Sequence, residues 1–145
     1  MYSNIMLYEK VSSESKNIVF VYTTCYGVEE AREIGLVCIR EKLAISADYW
    51  PINSIYPWNK VIREGEQYML MFATEQMLSD TLMKKIEEEH SYSVPVIIKC
   101  STAITSPTYH FWVNTTLSNK EPYTILTDAE LKAQNENGSS YERLK

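Results

Sequence analysis

The sequence contains little of what marks several large classes of protein. Its 145 residues include 14 Lys and Arg against 19 Asp and Glu, which gives a formal net charge of −5. Nucleic-acid binding depends on basic side chains that displace counterions from phosphates, so this balance argues against a nucleic-acid partner. The clearest apolar runs, residues 18–22 and 68–73, are far shorter than the roughly 18 residues that a membrane span needs. We therefore expect neither nucleic-acid binding nor membrane insertion.

Cysteine is also scarce. The three residues Cys25, Cys38 and Cys100 form an odd and widely spaced set, which does not provide a disulfide framework. The first 16 residues show no basic segment followed by an apolar stretch, so we expect no cleaved signal peptide. These features predict a cytoplasmic protein with free thiols.

The sequence also lacks the motifs of common enzymes. It has no GxSxG, no P-loop, no dinucleotide-binding fingerprint and no CxxC, each of which supplies a defined catalytic or cofactor geometry. Its only histidines, His90 and His110, are not close in sequence to a plausible nucleophile. We therefore predict a protein that is not an enzyme.

The chain does contain a clear order of strands and helices. Segments rich in β-branched and aromatic residues predict strands, and apolar residues spaced three to four apart predict helices. The predicted elements are a strand over residues 17–23, a helix from 28 to about 42, an extended segment over 44–58, a strand over 67–74, a helix over 75–90 and a strand over 94–100. This β-α-β-β-α-β order is the ferredoxin-like arrangement of an α+β protein.

Several boundaries are predicted from local signals. Thr74 is a candidate cap for the second helix, residues 59–65 read as a polar hairpin connection, and Pro51 and Pro57 favour an edge strand or a bulge. A short helix is predicted over residues 106–114, and the capping box from Thr127 to Glu130 predicts another. We expect a polar extension over residues 1–16, a folded domain over 17–114 and a polar tail over 115–145, disordered over about 135–140.

The strand composition predicts self-association. Two helices can cover only one face of such a sheet, yet the first and third strands carry large apolar residues on both faces. Because we expect no further helix for the second face, a neighbouring subunit is the economical cover. The aromatic residues Trp50, Tyr56 and Trp58 are the predicted interface.

Several short motifs stand out within this framework. They are Thr23-Thr24-Cys25, Ala31-Arg32-Glu33-Ile34, Glu41-Lys42-Leu43-Ala44, Ser54-Ile55-Tyr56-Pro57-Trp58, His90-Ser91-Tyr92-Ser93-Val94-Pro95, Tyr109 and Trp112. Together they resemble the CutA family of divalent-cation tolerance proteins, and the resemblance extends over roughly residues 17–113. It implies a homotrimer similar in architecture to the PII signalling proteins, and an association with copper or another divalent transition metal.

Some polar positions depart from the pattern of the family. Gln67 and Val96 stand where family members commonly have glutamates, and Ser46 stands where they have a second cysteine. The candidate site therefore holds few carboxylate ligands, which favours soft metal ions over hard ones.

Two residues are candidate metal ligands. Cys25 lies between a predicted strand and a predicted helix, where the helix dipole lowers a thiol pKa and a thiolate can bind a soft ion. Its alternative role is that of a small buried residue. His90 follows three glutamates at the end of a predicted helix, where a bound cation would relieve an unfavourable charge. Its alternative role is that of a solvated helix cap.

Two further functions fit the same fold. One is a PII-like regulatory trimer that binds a small anion in a cleft between subunits, since helix N-termini such as that after Gly27 favour anions. The other is a structural trimer whose polar tail recruits a partner.

Overall fold

A single antiparallel sheet organises the computed structural model, which describes residues 15–101 and 104–136. Its strands are β1 (Ile18–Cys25), β2 (Ser46–Trp58), β3 (Val61–Glu75) and β4 (Ile97–Ser101). They lie in the order β2-β3-β1-β4, and all neighbouring strands are antiparallel. The predicted α+β, ferredoxin-like arrangement is thereby confirmed. Residues 1–14 of the predicted polar extension (1–16) and residues 137–145 of the predicted tail (115–145) lie outside the described residues.

Four α-helices are described. They are α1 (Val28–Arg40), α2 (Ser79–Glu89), α3 (Pro107–Ser118) and α4 (Asp128–Glu136), and a 3₁₀ turn (Gln76–Leu78) precedes α2. The prediction that Thr74 caps the second helix is wrong. Thr74 still belongs to β3, and its hydroxyl donates to the carbonyl of Leu43 over 2.6 Å. The chain therefore needs one 3₁₀ turn before α2 begins.

The connection between β2 and β3 is tighter than predicted. Asn59 and Lys60 alone form the turn, with φ of 49° and 65°, as in two-residue hairpins whose twist matches that of their strands. The predicted hairpin is confirmed, but the predicted length of its connection, residues 59–65, is wrong because β3 begins at Val61. Strand β2 forms an edge of the sheet, as its two prolines indicated.

The β2–β3 hairpin extends beyond the rest of the sheet. Pairing between β1 and β3 stops at Cys25 and Tyr68, so residues 61–67 pair only with β2. We call this two-stranded extension, residues 52–67, the arm. Two-stranded ribbons are marginal in water unless something packs against them.

One face of the sheet is covered by α1 and α2. Strand residues Val21, Leu70 and Phe72 form a fully buried cluster with apolar residues of both helices. Gly35 lets α1 approach β2 closely, since a Cβ there would lie 3.2 Å from Cβ of Ala47. Cys38 is part of this core.

The second face is partly covered by α3, so the expectation that no further helix covers this face is wrong. Val113 and Leu117 of α3 form a buried cluster with Ile18 and Ala73 of the sheet. The helix runs past residue 114, where the sequence suggested that the polar tail begins, and Leu117 is only 2% exposed. The predicted interface residues on this face remain partly exposed. Their exposed fractions are 39% for Trp50, 40% for Tyr56 and 42% for Trp58.

After α3 the chain returns to the residues that follow α1. The ring of Tyr123 lies beneath the ammonium of Lys42, 3.1 Å from its centroid. The predicted capping box is confirmed, because the N–H of Thr127 donates to the Glu130 carboxylate over 2.7 Å and the Glu130 N–H donates to the Thr127 hydroxyl over 3.3 Å. Among the described residues, no helix has both the length and the apolar character needed to cross a membrane.

Candidate metal centre

Three potential metal ligands meet at one end of the sheet. Cys25 is the last residue of β1, Glu30 lies in the first turn of α1, and His90 follows α2. One ligand atom from each lies within 4.8 Å of the others. The structure thus brings together the two ligands predicted from the sequence and adds a third, Glu30.

His90 reaches this position because the chain leaves the helix at that residue. Its backbone is extended, with φ of −76° and ψ of 139°, and its ring turns back to the end of β1. Nε2 lies 2.8 Å from the carbonyl oxygen of Thr24 and 3.1 Å from the Thr23 hydroxyl. The alternative of a solvated helix cap is therefore wrong, since the imidazole is completely buried.

The partners of the imidazole define its tautomer. Nε2 faces a carbonyl, which only accepts, and Nδ1 accepts the backbone N–H of Tyr92 over 3.1 Å. These partners match the tautomer that carries its proton on Nε2. Nδ1 also lies 3.7 Å from Oε1 of Glu30, so it is the ring nitrogen that faces this carboxylate.

The thiol of Cys25 behaves in the opposite way to its prediction. Burial raises its pKa to about 12, and the negative charge of Glu30 and a hydrogen bond from the thiol to that carboxylate act in the same direction. The expected lowering by the helix dipole is outweighed, because removal from water disfavours the thiolate. Cys25 thus carries its proton at neutral pH.

Glu30 is the residue that sequence reasoning missed. It is 7% exposed, and its Oε1 has no hydrogen-bond partner among the described residues. A buried carboxylate oxygen without a donor is costly, and such an atom calls for an explanation. A signal was present, because Glu30 lies four and eight residues before Ile34 and Cys38, on the buried stripe of α1.

The three side chains form a donor set suited to a transition metal. A thiolate, an imidazole and a carboxylate are the usual ligands of Zn²⁺, and thiolate and imidazole also suit copper. Oε1 of Glu30 is ready to coordinate, whereas Cys25 must lose its proton and Nδ1 of His90 must give up the Tyr92 N–H. The three residues therefore fit a metal ion. In its absence the Cys25 thiol keeps its proton and Nδ1 of His90 accepts the Tyr92 N–H.

The other histidine lies elsewhere. His110 belongs to α3, and its Nε2 lies 2.8 Å from the backbone carbonyl of Lys16. It is not part of the cluster with Cys25, Glu30 and His90. Gln67, at a position where the sequence suggested a lost glutamate, accepts a hydrogen bond from the phenol of Tyr92 over 3.1 Å.

Comparison with known proteins finds relatives in the CutA family. A family model described as CutA1 divalent ion tolerance protein matches residues 19–116. Protein CutA, chloroplastic, from Arabidopsis thaliana is 27% identical over 109 residues, which cover 74% of this chain and 60% of that protein. Divalent-cation tolerance protein CutA from Pyrococcus horikoshii is 27% identical over 96 residues, which cover 66% of this chain and 94% of that one.

The match spans only part of some relatives. It covers 60% of the Arabidopsis protein and 53% of protein CutA from Mus musculus, which is 29% identical over 94 residues. Among solved structures, divalent ion tolerance protein CutA1 from Ehrlichia chaffeensis superimposes with a TM-score of 0.67 and 27% identity. That similarity covers 70% of this chain and 95% of the Ehrlichia protein.

Proposed function

Because the chain belongs to the CutA1 family of divalent ion tolerance proteins, we propose that it acts in the response to divalent metal ions by binding one at Cys25, Glu30 and His90. Copper or another divalent transition metal fits this donor set. The observation that carries the proposal is the buried Oε1 of Glu30, which has no hydrogen-bond partner among the described residues and lies 3.7 Å from Nδ1 of His90.

The proposed role is binding and not catalysis. A catalytic cysteine reacts as a thiolate and sits in an accessible, electropositive surrounding. Cys25 has the reverse properties, since it is completely buried and its pKa is raised to about 12. The three free cysteines also support the proposal of a reducing, cytoplasmic location.

A homotrimer is the second part of the proposal. The arm carries large apolar side chains in contact with water, with Tyr56 40%, Trp58 42% and Ile62 78% exposed. Helix α3 covers only one end of the second face, so the aromatic part of that face is available to a neighbouring subunit. Three-fold closure comes from the resemblance to the family.

Calorimetric titration with Zn²⁺ and Cu²⁺ tests the metal site. We expect one bound ion per chain, and a loss of affinity of tenfold or more in Cys25→Ser and Glu30→Gln, in the range that metal-site substitutions commonly produce. Cys100→Ser and Glu29→Gln are matched controls, because these side chains are exposed. Unchanged binding in both site variants would overturn the proposal.

Light scattering tests the assembly. We expect a mass of about three times 16.8 kDa at micromolar concentration. Trp58→Asp should lower this mass because it places an unpaired charge in an apolar interface. Phe111→Asp is the control, since Phe111 is 73% exposed on α3. A monomeric mass for the unmodified chain would contradict the trimer.

A further inference from the structure

A cavity of about 630 Å³ opens on the second face of the sheet, beside the arm. One side is formed by arm residues, including Tyr56, Trp58 and Arg63, and the other by the segment before β4, including Tyr92 and Val94. This volume falls within the range of about 300–1,000 Å³ that is typical of small-molecule sites. The proposed metal ligands Cys25, Glu30 and His90 do not line it.

The charge of the lining indicates the kind of ligand. Among the described residues that line it, Arg63 is the only cationic one and none is Asp or Glu. No described carboxylate lies within ion-pair distance of Arg63. An arginine without an ion-pair partner offers a planar set of N–H donors that matches a carboxylate or a phosphate. The cavity therefore favours an anion.

The remaining lining residues indicate the shape of the ligand. Tyr56 and Trp58 provide aromatic faces, and Tyr92 provides a third. The Tyr92 phenol donates to Oε1 of Gln67, so the amide nitrogen of Gln67 keeps its own donors for another partner. Ser54 and Thr24 add hydroxyl groups. Aromatic walls with a few convergent polar groups are typical of sites for flat, partly polar molecules.

We propose that this cavity binds a small planar organic anion, whose charged group pairs with Arg63 and whose flat body packs against Trp58 and Tyr56. The cavity adjoins the candidate metal centre, because Tyr92 lines the cavity and its backbone N–H donates to Nδ1 of His90. Because Tyr56 and Trp58 also belong to the proposed subunit interface, the ligand would lie at the boundary between two chains of the trimer.

The test uses the full-length chain and a matched pair of probes, 2-naphthoate and its neutral analogue 2-naphthamide, measured by calorimetry. We expect naphthoate to bind about tenfold more tightly than naphthamide, as a charge-assisted hydrogen bond provides. In Arg63→Gln this preference should disappear while naphthamide binding stays the same. In Arg40→Gln, an exposed residue at the end of α1, the preference should persist.

A second measurement reports on the position of the probe. Bound naphthoate should change the fluorescence of the unmodified chain and should have a much smaller effect in Trp58→Phe, which keeps an aromatic face. The proposal is overturned if naphthoate does not bind at millimolar concentration, which would mean that a neighbouring subunit fills the cavity. Equal binding of the two probes, or a preference retained in Arg63→Gln, would also overturn it.

Discussion

The backbone N–H of Tyr92 donates to Nδ1 of His90 over 3.1 Å, and the rings of the two residues lie 4.9 Å apart. The same tyrosine lines the cavity and bonds to Gln67 through its phenol. Tyr92 therefore joins the imidazole of the candidate metal centre to the neighbouring cavity. Since Nδ1 has a single lone pair, it cannot accept the Tyr92 N–H and coordinate a metal at the same time.

The first prediction concerns this amide. Because Nδ1 has to release the Tyr92 N–H, Zn²⁺ should accelerate hydrogen exchange at the Tyr92 amide while the amides of β1 stay protected. NMR-detected exchange with and without Zn²⁺ measures both. The effect should be absent in Cys25→Ser at the same Zn²⁺ concentration. Protection of the Tyr92 amide that increases with metal would show that Nδ1 is not the ligand.

The second prediction is that metal uptake releases a proton. Cys25 is protonated at neutral pH because burial raises its pKa to about 12, and a metal binds the thiolate. The observed binding constant should therefore rise about tenfold per pH unit between about pH 6.5 and 8.5. Calorimetry in buffers of different ionisation enthalpy counts the protons, and we expect about one per metal.

The control for proton release is Cys25→Ser, in which the residual binding should lose this pH dependence. A binding constant that does not change with pH in the unmodified chain would mean that the thiol remains protonated and lies outside the coordination sphere.

The third prediction concerns thiol reactivity. Cys100 is exposed, whereas Cys25 and Cys38 are buried and burial raises the pKa of each to about 12. At pH 8 an aromatic disulfide reagent should therefore modify one thiol rapidly in the folded chain and three after unfolding. Rapid modification of a thiol in Cys100→Ser would contradict the burial of the other two.

These two thiols also make stability depend on pH. Both ionise near pH 9 in the unfolded chain and near pH 12 in the folded one. The unfolded chain thus binds fewer protons between these values, and their contribution to the free energy of unfolding falls as pH rises from 9 to 12. Below pH 9 that contribution is constant. Denaturant unfolding of Cys38→Ala should show a smaller loss across this interval than the unmodified chain.

The fourth prediction concerns the end of α3. Leu117 is 2% exposed and packs in the cluster on the second face, so Leu117→Ala should lower the free energy of unfolding by about 2–4 kcal/mol. Leu131 in α4 is 41% exposed, and Leu131→Ala should cost less than about 0.5 kcal/mol. A truncation after Ser118 should fold more stably than one after Asn114. Equal stability of the two truncations would show that Leu117 adds nothing to the core.

The parts of the fold that follow from hydrophobic periodicity were predictable. The unbroken apolar run of β1 and the stripe of Ala31, Ile34 and Cys38 on α1 are signals in the sequence itself. The part of the arm that belongs to β3 was not predictable in this way, because its residues Arg63, Glu64 and Glu66 are polar. The two strands of the arm are held together by backbone pairing with each other and by the two-residue turn that joins them.

The candidate site was predictable only in part. Cys25 was identified from its place at the end of a strand, but its environment depends on burial that the whole fold creates. The same is true of His90, whose ring is buried because the chain turns away from α2 and directs it at β1. Glu29 and Glu30 are both acidic residues in the first turn of α1, where glutamate is usually exposed to solvent. Only Glu30 lies on the buried face of the helix.

X-ray absorption at the zinc edge of the metal-loaded protein tests the account most directly. The account predicts one sulfur scatterer at about 2.3 Å and nitrogen or oxygen scatterers at about 2.0–2.1 Å. The sulfur contribution should vanish in Cys25→Ser and persist in Cys100→Ser. A first shell of nitrogen and oxygen alone in the unmodified protein would contradict metal binding at Cys25, Glu30 and His90.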